Sequence, residues 1–150
     1  MNPIKIAIDF DGTCVKHDYP RIGEDIGASK ILRLLTDEGH KLILNTMRSG
    51  EYLQDAIAWF EEQGVKLYGV GQDPDQKQWT ESPKCFANLY IDDAALGCPI
   101  AYDQDGNKFV DWDRIYNLLV VMGILPERLS KSQFEREYEI KKTNASRSNK

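Results

Sequence analysis

Asp9 and Asp11 flank Phe10 directly after a short apolar run, Ile4 to Ile8, and Gly12-Thr13 follow them. The run reads as a buried parallel strand, so residues two apart point the same way for as long as strand geometry lasts. Two carboxylates converging at the C-terminal end of a strand repel each other, and a divalent cation removes that repulsion. Magnesium fits, since hard oxygen donors suit it and it commonly binds a few carboxylates plus phosphate. Other strand ends offer matching chemistry. Leu42–Leu44 leads into Thr46 and Arg48; Lys84 precedes the run Ala87–Ile91, which ends in Asp92-Asp93. A metal, a hydroxyl and a cation around one point suit a transferring phosphoryl group, where positioning and charge neutralisation do most of the catalysis.

The elements that must position these groups alternate between strand and helix. After Ile4–Ile8 comes a loop with Pro20, Gly23 and Gly27, then a helix over Ser29–Glu38 stopped by Gly39. Lys41–Asn45 is the second strand. Ser49 caps a helix to Gln63, on which Leu53, Ile57 and Phe60 recur at helical spacing. Val65–Val70 is a third strand, Gly71–Lys84 a polar loop, and Ala87–Ile91 a fourth strand. Pro99–Tyr102 and Lys108–Val110 form a hairpin, and Asp111 or Asp113 caps a helix to Met122. Trp59 and Trp112 fall within helical patterns and read as packing residues. The expected architecture is α/β: a Rossmann-like three-layer sandwich with a mainly parallel five-stranded sheet and helices on both faces. Residues 1–126 form one domain. Residues 127–150 are a charged tail, with an exposed helix over Ser130–Lys142 and a disordered end.

The chain has 150 residues, 41% of them hydrophobic, enough for one sizeable core. Its net charge of -5 is unevenly spread. The tail from Glu127 holds seven Lys/Arg and four Asp/Glu, leaving 12 against 20 in the first 126 residues. An acidic body does not favour binding to long polynucleotides. Cys14, Cys85 and Cys98 have no metal-type spacing and read as reduced thiols, with Cys14 a small apolar residue beside the acidic motif. No secretory signal pattern and no apolar run of membrane-span length is present, so the expected location is cytoplasmic.

The ordered set Asp9-Phe10-Asp11-Gly12-Thr13, Thr46, Lys84, Asp92-Asp93 resembles the four motifs of the haloacid dehalogenase superfamily of phosphohydrolases, over roughly Ile4 to Gly97. The resemblance implies roles. Asp9 would be the nucleophile, forming an aspartyl-phosphate. Asp11 would protonate the leaving oxygen and then activate water. Thr46, Lys84 and Gly12 would hold phosphoryl oxygens. Asp9, the backbone carbonyl of Asp11, and Asp92 would ligate Mg2+, with Asp93 in support.

Members of that superfamily often carry a cap domain over the site. Here Cys14–Lys41 has room for a loop and one helix, and Met47–Pro83 for an ordinary sheet crossover, so the chain resembles the capless members. The missing wall falls to a local loop or to a second copy of the chain. The loop Lys16–Gly23 carries His17 and Arg21, the latter suited to a second phosphate or a carboxylate. Gly71–Pro83 carries Trp79, which would stack on a base or pin its own loop. Arg48 would contact substrate or pair with an acidic neighbour. The expected function is magnesium-dependent hydrolysis of a phosphomonoester, on a nucleotide or other small phosphorylated metabolite. Phosphorylated nucleic-acid ends or another macromolecule are the alternative substrates. A phosphoacceptor signalling module and a non-catalytic binding protein are the alternatives of another class.

Overall fold

The structure, a computed structural model, describes residues 2–127, 140 and 142–147. Four parallel strands form the main sheet: β1 (Lys5–Ile8), β2 (Lys41–Leu44), β3 (Leu67–Val70) and β4 (Leu89–Ile91), in the order β3-β2-β1-β4. The helices are α1 (Ala28–Asp37), α2 (Gly50–Glu62) and α3 (Trp112–Val121). β5 (Ile100–Tyr102) and β6 (Lys108–Val110) pair antiparallel as a separate two-stranded sheet, the expected hairpin. Among the described residues the parallel sheet therefore has four strands, and the five-stranded sheet read from the sequence is corrected.

Register explains the core. Ile6 and Ile8 pair with Leu42 and Leu44 on one side and with Leu89 and Ile91 on the other. Paired residues share a face, so these six form an apolar surface. Ile31, Leu32 and Leu35 of α1, Trp59 and Phe60 of α2, and Trp112, Ile115 and Leu119 of α3 bury against it in one cluster. The opposite face holds Ala7 and Ile43, which pack with Cys85 and with the half-buried Tyr68 and Ala87. That face is covered by residues 71–88, whose only regular element is a short 3-10 turn at Gln76–Gln78.

Connection handedness accounts for the division. From β1 to β2 to β3 the chain steps the same way across the sheet, so right-handed crossovers put α1 and α2 on one face. From β3 to β4 it steps back past β2 and β1, so residues 71–88 must cross the other face. They carry no apolar helical period, and no α-helix forms there. The sandwich with α-helices on both faces is thus corrected to helices on one face and an irregular layer on the other. Lys5 anchors that layer: its ammonium lies 2.8 Å from Asp73 and 2.9 Å from Asp75. Burial opposes the charge on Lys5, yet the bonds to Asp73 and Asp75 outweigh it and raise its pKa.

The expected tail helix falls mainly outside the described residues. Residues 142–147 are helical and exposed, where the sequence predicts a disordered end from Thr143.

Candidate active site

Reversal of strand order at β1 opens a crevice at the C-terminal ends of β1 and β4, where open α/β sheets bind ligands. The ladder continues past the strands: Asp9 N–H donates to the Ile91 carbonyl at 3.0 Å, and Asn45 N–H to that of Ile8 at 2.8 Å. Asp9, Asn45-Thr46 and Asp92 therefore leave three adjacent strands side by side. Gly12 then turns the chain at φ +78°, and a Cβ there would stand 2.9 Å from Asp93 Oδ2. Only glycine permits both the turn and the approach of Asp93. Its N–H donates to the Val15 carbonyl at 2.8 Å. The glycine thus has a steric role in the turn.

Carboxylate oxygens of Asp9, Asp92 and Asp93 all lie within 4.8 Å of one another. Thr13, fully buried, joins two of them: its hydroxyl sits 2.7 Å from Asp9 Oδ2 and 3.2 Å from Asp93 Oδ1, and accepts the Asp93 N–H at 3.0 Å. Burial pushes the Asp9 carboxyl up to about 7; Asp93 and Asp92 add to the rise, while Thr13 and the Phe10 backbone oppose it. A divalent cation relieves this crowding, so the donor set fits a hard metal ion. Asp93, expected only in support, brings a carboxylate of its own into the cluster.

Asp11 is instead gripped by Arg48. Nε and Nη2 each donate to a separate Asp11 oxygen at 2.7 Å. The guanidinium also donates to the carbonyls of Pro20 (2.9 Å), Arg21 (2.8 Å) and Tyr52 (3.3 Å). Its side chain is 1% exposed. Arg48 is therefore a buried clamp that fixes Asp11, the loop after β1 and the first turn of α2, and the acidic-neighbour reading is the one borne out.

Asp9, Asp11, Thr46 and Arg48 line a cleft of about 310 Å³ whose rim is His17, Tyr19 and Met47. The Thr46 hydroxyl accepts the Arg48 N–H at 3.1 Å. Lys84 is absent from this lining. It precedes β4 within the layer on the opposite face, and its ammonium rests 5.6 Å from the ring centre of Tyr90. A cation that does touch the cluster is Lys108 of β6, 3.6 Å from Asp93 Oδ2 and 3.3 Å from the Asp93 carbonyl. Arg21 is paired at the surface with Asp18 at 2.9 Å, and Trp79 packs edge-on against Phe86, so neither lines the cleft. A second hollow, of about 220 Å³ between β4 and α3, contains no carboxylate or cation.

Sequence reasoning missed Thr13, Lys108, Tyr19 and Met47 as site groups. Thr13 carried a signal, being the hydroxyl inside the acidic motif. Lys108 carried none, since its approach depends on how the hairpin docks. That docking is held by the Val110 N–H on the Gly12 carbonyl at 3.2 Å and by the Trp112 indole N–H on the Thr13 carbonyl at 2.7 Å.

The fold and site define an α/β protein with a carboxylate cluster at a sheet switch point. No protein-family model matches the chain, and no curated protein matches it. A conserved protein from Bacteroides thetaiotaomicron, of solved structure, is 42% identical; the match covers 79% of this chain and 90% of that one, with a TM-score of 0.65. The chain belongs to the family of that conserved protein.

Proposed function

We propose that the protein is a magnesium-dependent phosphomonoester hydrolase of the haloacid dehalogenase type, working through an aspartyl-phosphate on Asp9. The observation that carries this reading is the convergence of half-buried Asp9 with Asp92, Asp93 and Thr13, with Asp9 also lining a cleft alongside Asp11 and Thr46.

An oxygen of Asp9 attacks phosphorus, and the bond from phosphorus to the leaving oxygen breaks. The leaving oxygen takes a proton from the Asp11 carboxyl, which must release one of its Arg48 bonds to give it. Water then attacks the phosphorus of the acyl phosphate while Asp11 takes its proton. The bond from phosphorus to Asp9 breaks, and inorganic phosphate leaves. The Thr46 hydroxyl holds a phosphoryl oxygen throughout. Thr13 aims Asp9, and Arg48 returns Asp11 to the same position after each half-reaction. A divalent cation held by Asp9, Asp92 and Asp93 supplies charge neutralisation for the phosphoryl oxygens.

The substrate is a small phosphorylated molecule, because a cleft of about 310 Å³ is at the lower end of the usual ~300–1,000 Å³. No cap domain closes the site in this reading: a loop and α1 lie between β1 and β2, and α2, β3 and the covering segment follow before β4. Three free cysteines fit a cytoplasmic setting. Among the described residues no helix is long and apolar enough to cross a membrane.

The test is phosphate release with and without magnesium across nucleotides, sugar phosphates and end-phosphorylated oligonucleotides. Magnesium-dependent release should fall at least about 10³-fold in Asp9→Asn. Wild-type rates in that variant would remove Asp9 as the nucleophile.

A further inference from the structure

The cleft has two chemically distinct ends. Its floor is the carboxylates and Thr46. Its rim presents Tyr19, 53% exposed, and Met47, 98% exposed. These two large apolar side chains border the same cleft as Asp9, Asp11, Thr46 and Arg48, the combination of apolar walls and a few placed polar groups that ligand pockets show.

Tyr19 is also held in place. Its ring meets Tyr52 edge-on with centres 5.6 Å apart, and the Arg48 guanidinium lies 5.2 Å from its centre. The same guanidinium binds the carbonyls of Pro20 and Arg21, the two residues that follow Tyr19. A buried clamp thus fixes the backbone beside an exposed ring, which lowers the ordering cost of a ligand that packs on it. Met47 follows Thr46 and lines the same cleft, so a phosphate held at Thr46 has its leaving group in the cleft this thioether borders. The unbranched side chain adapts to whatever ring lies against it.

We infer that this rim is a specificity site for a planar ring, and that the physiological substrate is a phosphomonoester whose leaving group carries an aromatic ring close to the phosphate. The inference rests on the phosphatase reading only in placing phosphate at the Asp9 end. The ring packs on Tyr19 and is covered by Met47. Trp79, read from the sequence as either a stacking platform or a loop anchor, packs on Phe86 and takes no part.

Binding of phosphonates tests this without turnover, since their carbon–phosphorus bond is not hydrolysed. Calorimetry with magnesium would compare methylphosphonate, benzylphosphonate and the 5′-methylenephosphonate of adenosine. The wild-type protein should bind at least one ring-bearing compound about tenfold tighter than methylphosphonate. The better of the two distinguishes a simple aryl group from a nucleobase. That advantage should shrink to about twofold in Tyr19→Ala, persist in Tyr19→Phe, and fall partially in Met47→Ala. Both side chains are exposed, so truncation leaves the core intact. Equal affinity for all three compounds, binding of none, or an advantage untouched by Tyr19→Ala would overturn the inference. Release from ring-free phosphates with no ring preference in binding would refute this site and leave the phosphatase reading standing. Ring preference in binding with no release from any phosphate would do the reverse.

Discussion

Replacing Asp9 by Asn should stabilise the metal-free protein, and by an amount that grows with pH. The Asp9 carboxyl is pushed up to about 7 by burial first, then by Asp93 and Asp92. An unfolded aspartate titrates near 3.9. The folded state therefore binds more protons than the unfolded one between about pH 4 and pH 7, and stability falls as pH rises through that window. Each tenfold difference in proton affinity between the two states is worth about 1.4 kcal/mol, so ionising Asp9 costs the fold about 1–2 kcal/mol at pH 5 and about 4 kcal/mol above pH 7. Asparagine avoids that cost and still offers an oxygen to the Thr13 hydroxyl, now 2.7 Å from Asp9 Oδ2. Urea unfolding of both proteins in EDTA at pH 5 and pH 8 measures the effect. The variant should be more stable at both, with a gap wider by about 2–3 kcal/mol at pH 8. Magnesium should then reverse the order at pH 8, because a ligand of the folded state stabilises the wild type and barely the variant. A pH-independent gap in EDTA, or a magnesium effect equal in both, would refute the account of a carboxylate cluster strained for want of a cation.

Two further substitutions probe the wiring around the site. Arg48→Met should cost about 3 kcal/mol in urea unfolding, since it strips both donors from Asp11 and three backbone carbonyls of theirs. Arg48→Lys should recover little of that, because one ammonium cannot form the fork. Lys5→Met should lower stability by about 2–3 kcal/mol, leaving Asp73, 1% exposed, without its cation. Turnover should stay near wild type, which a simple thermal-shift and phosphate-release pair would check.

What the sequence could show of this molecule depended on range. The strands and helices are written locally: Ile6, Ile8, Leu42 and Leu44 belong to uninterrupted apolar runs, and Gly39, Gly64 and Gly123 stop the helices. The expected and observed elements agree to within a residue or two at most ends. The identity of Asp9, Thr46 and Asp92 as strand-end neighbours followed from the same runs, because parallel register brings those ends together. What is chosen among distant partners was invisible. The acidic motif offers Arg48 and any nearby lysine the same carboxylates, and nothing local assigns Arg48 to Asp11 or Lys108 to Asp93. Strand count failed for a related reason. The hairpin after β4 is legible locally, but whether it joins the parallel sheet is a long-range choice, and it stands as a separate two-stranded sheet.

The hairpin and the clamp give the site its rigidity from opposite sides. On one side β6 hands Lys108 to Asp93, Lys16 reaches Asp103 at 3.1 Å, and Trp112 ties the Thr13 carbonyl, all bracing the turn that carries the acidic motif. On the other, Arg48 ties Asp11 to the loop through Arg21 and to α2 through Tyr52. Asp9 sits between these two braces, paired with no Lys or Arg among the described residues, and its carboxylate is held by the Thr13 hydroxyl beside Asp92 and Asp93. A nucleophile needs an oxygen free to reach phosphorus; the Thr13 hydroxyl bonds Oδ2 of Asp9, whereas a forked guanidinium would hold both oxygens. Asp11 has both oxygens on Arg48, so in its proposed role it must leave one arm of the fork to pass a proton and can then return to it. The two aspartates thus differ in how firmly they are held, and the proposed roles assign the freer one to phosphorus and the clamped one to the proton.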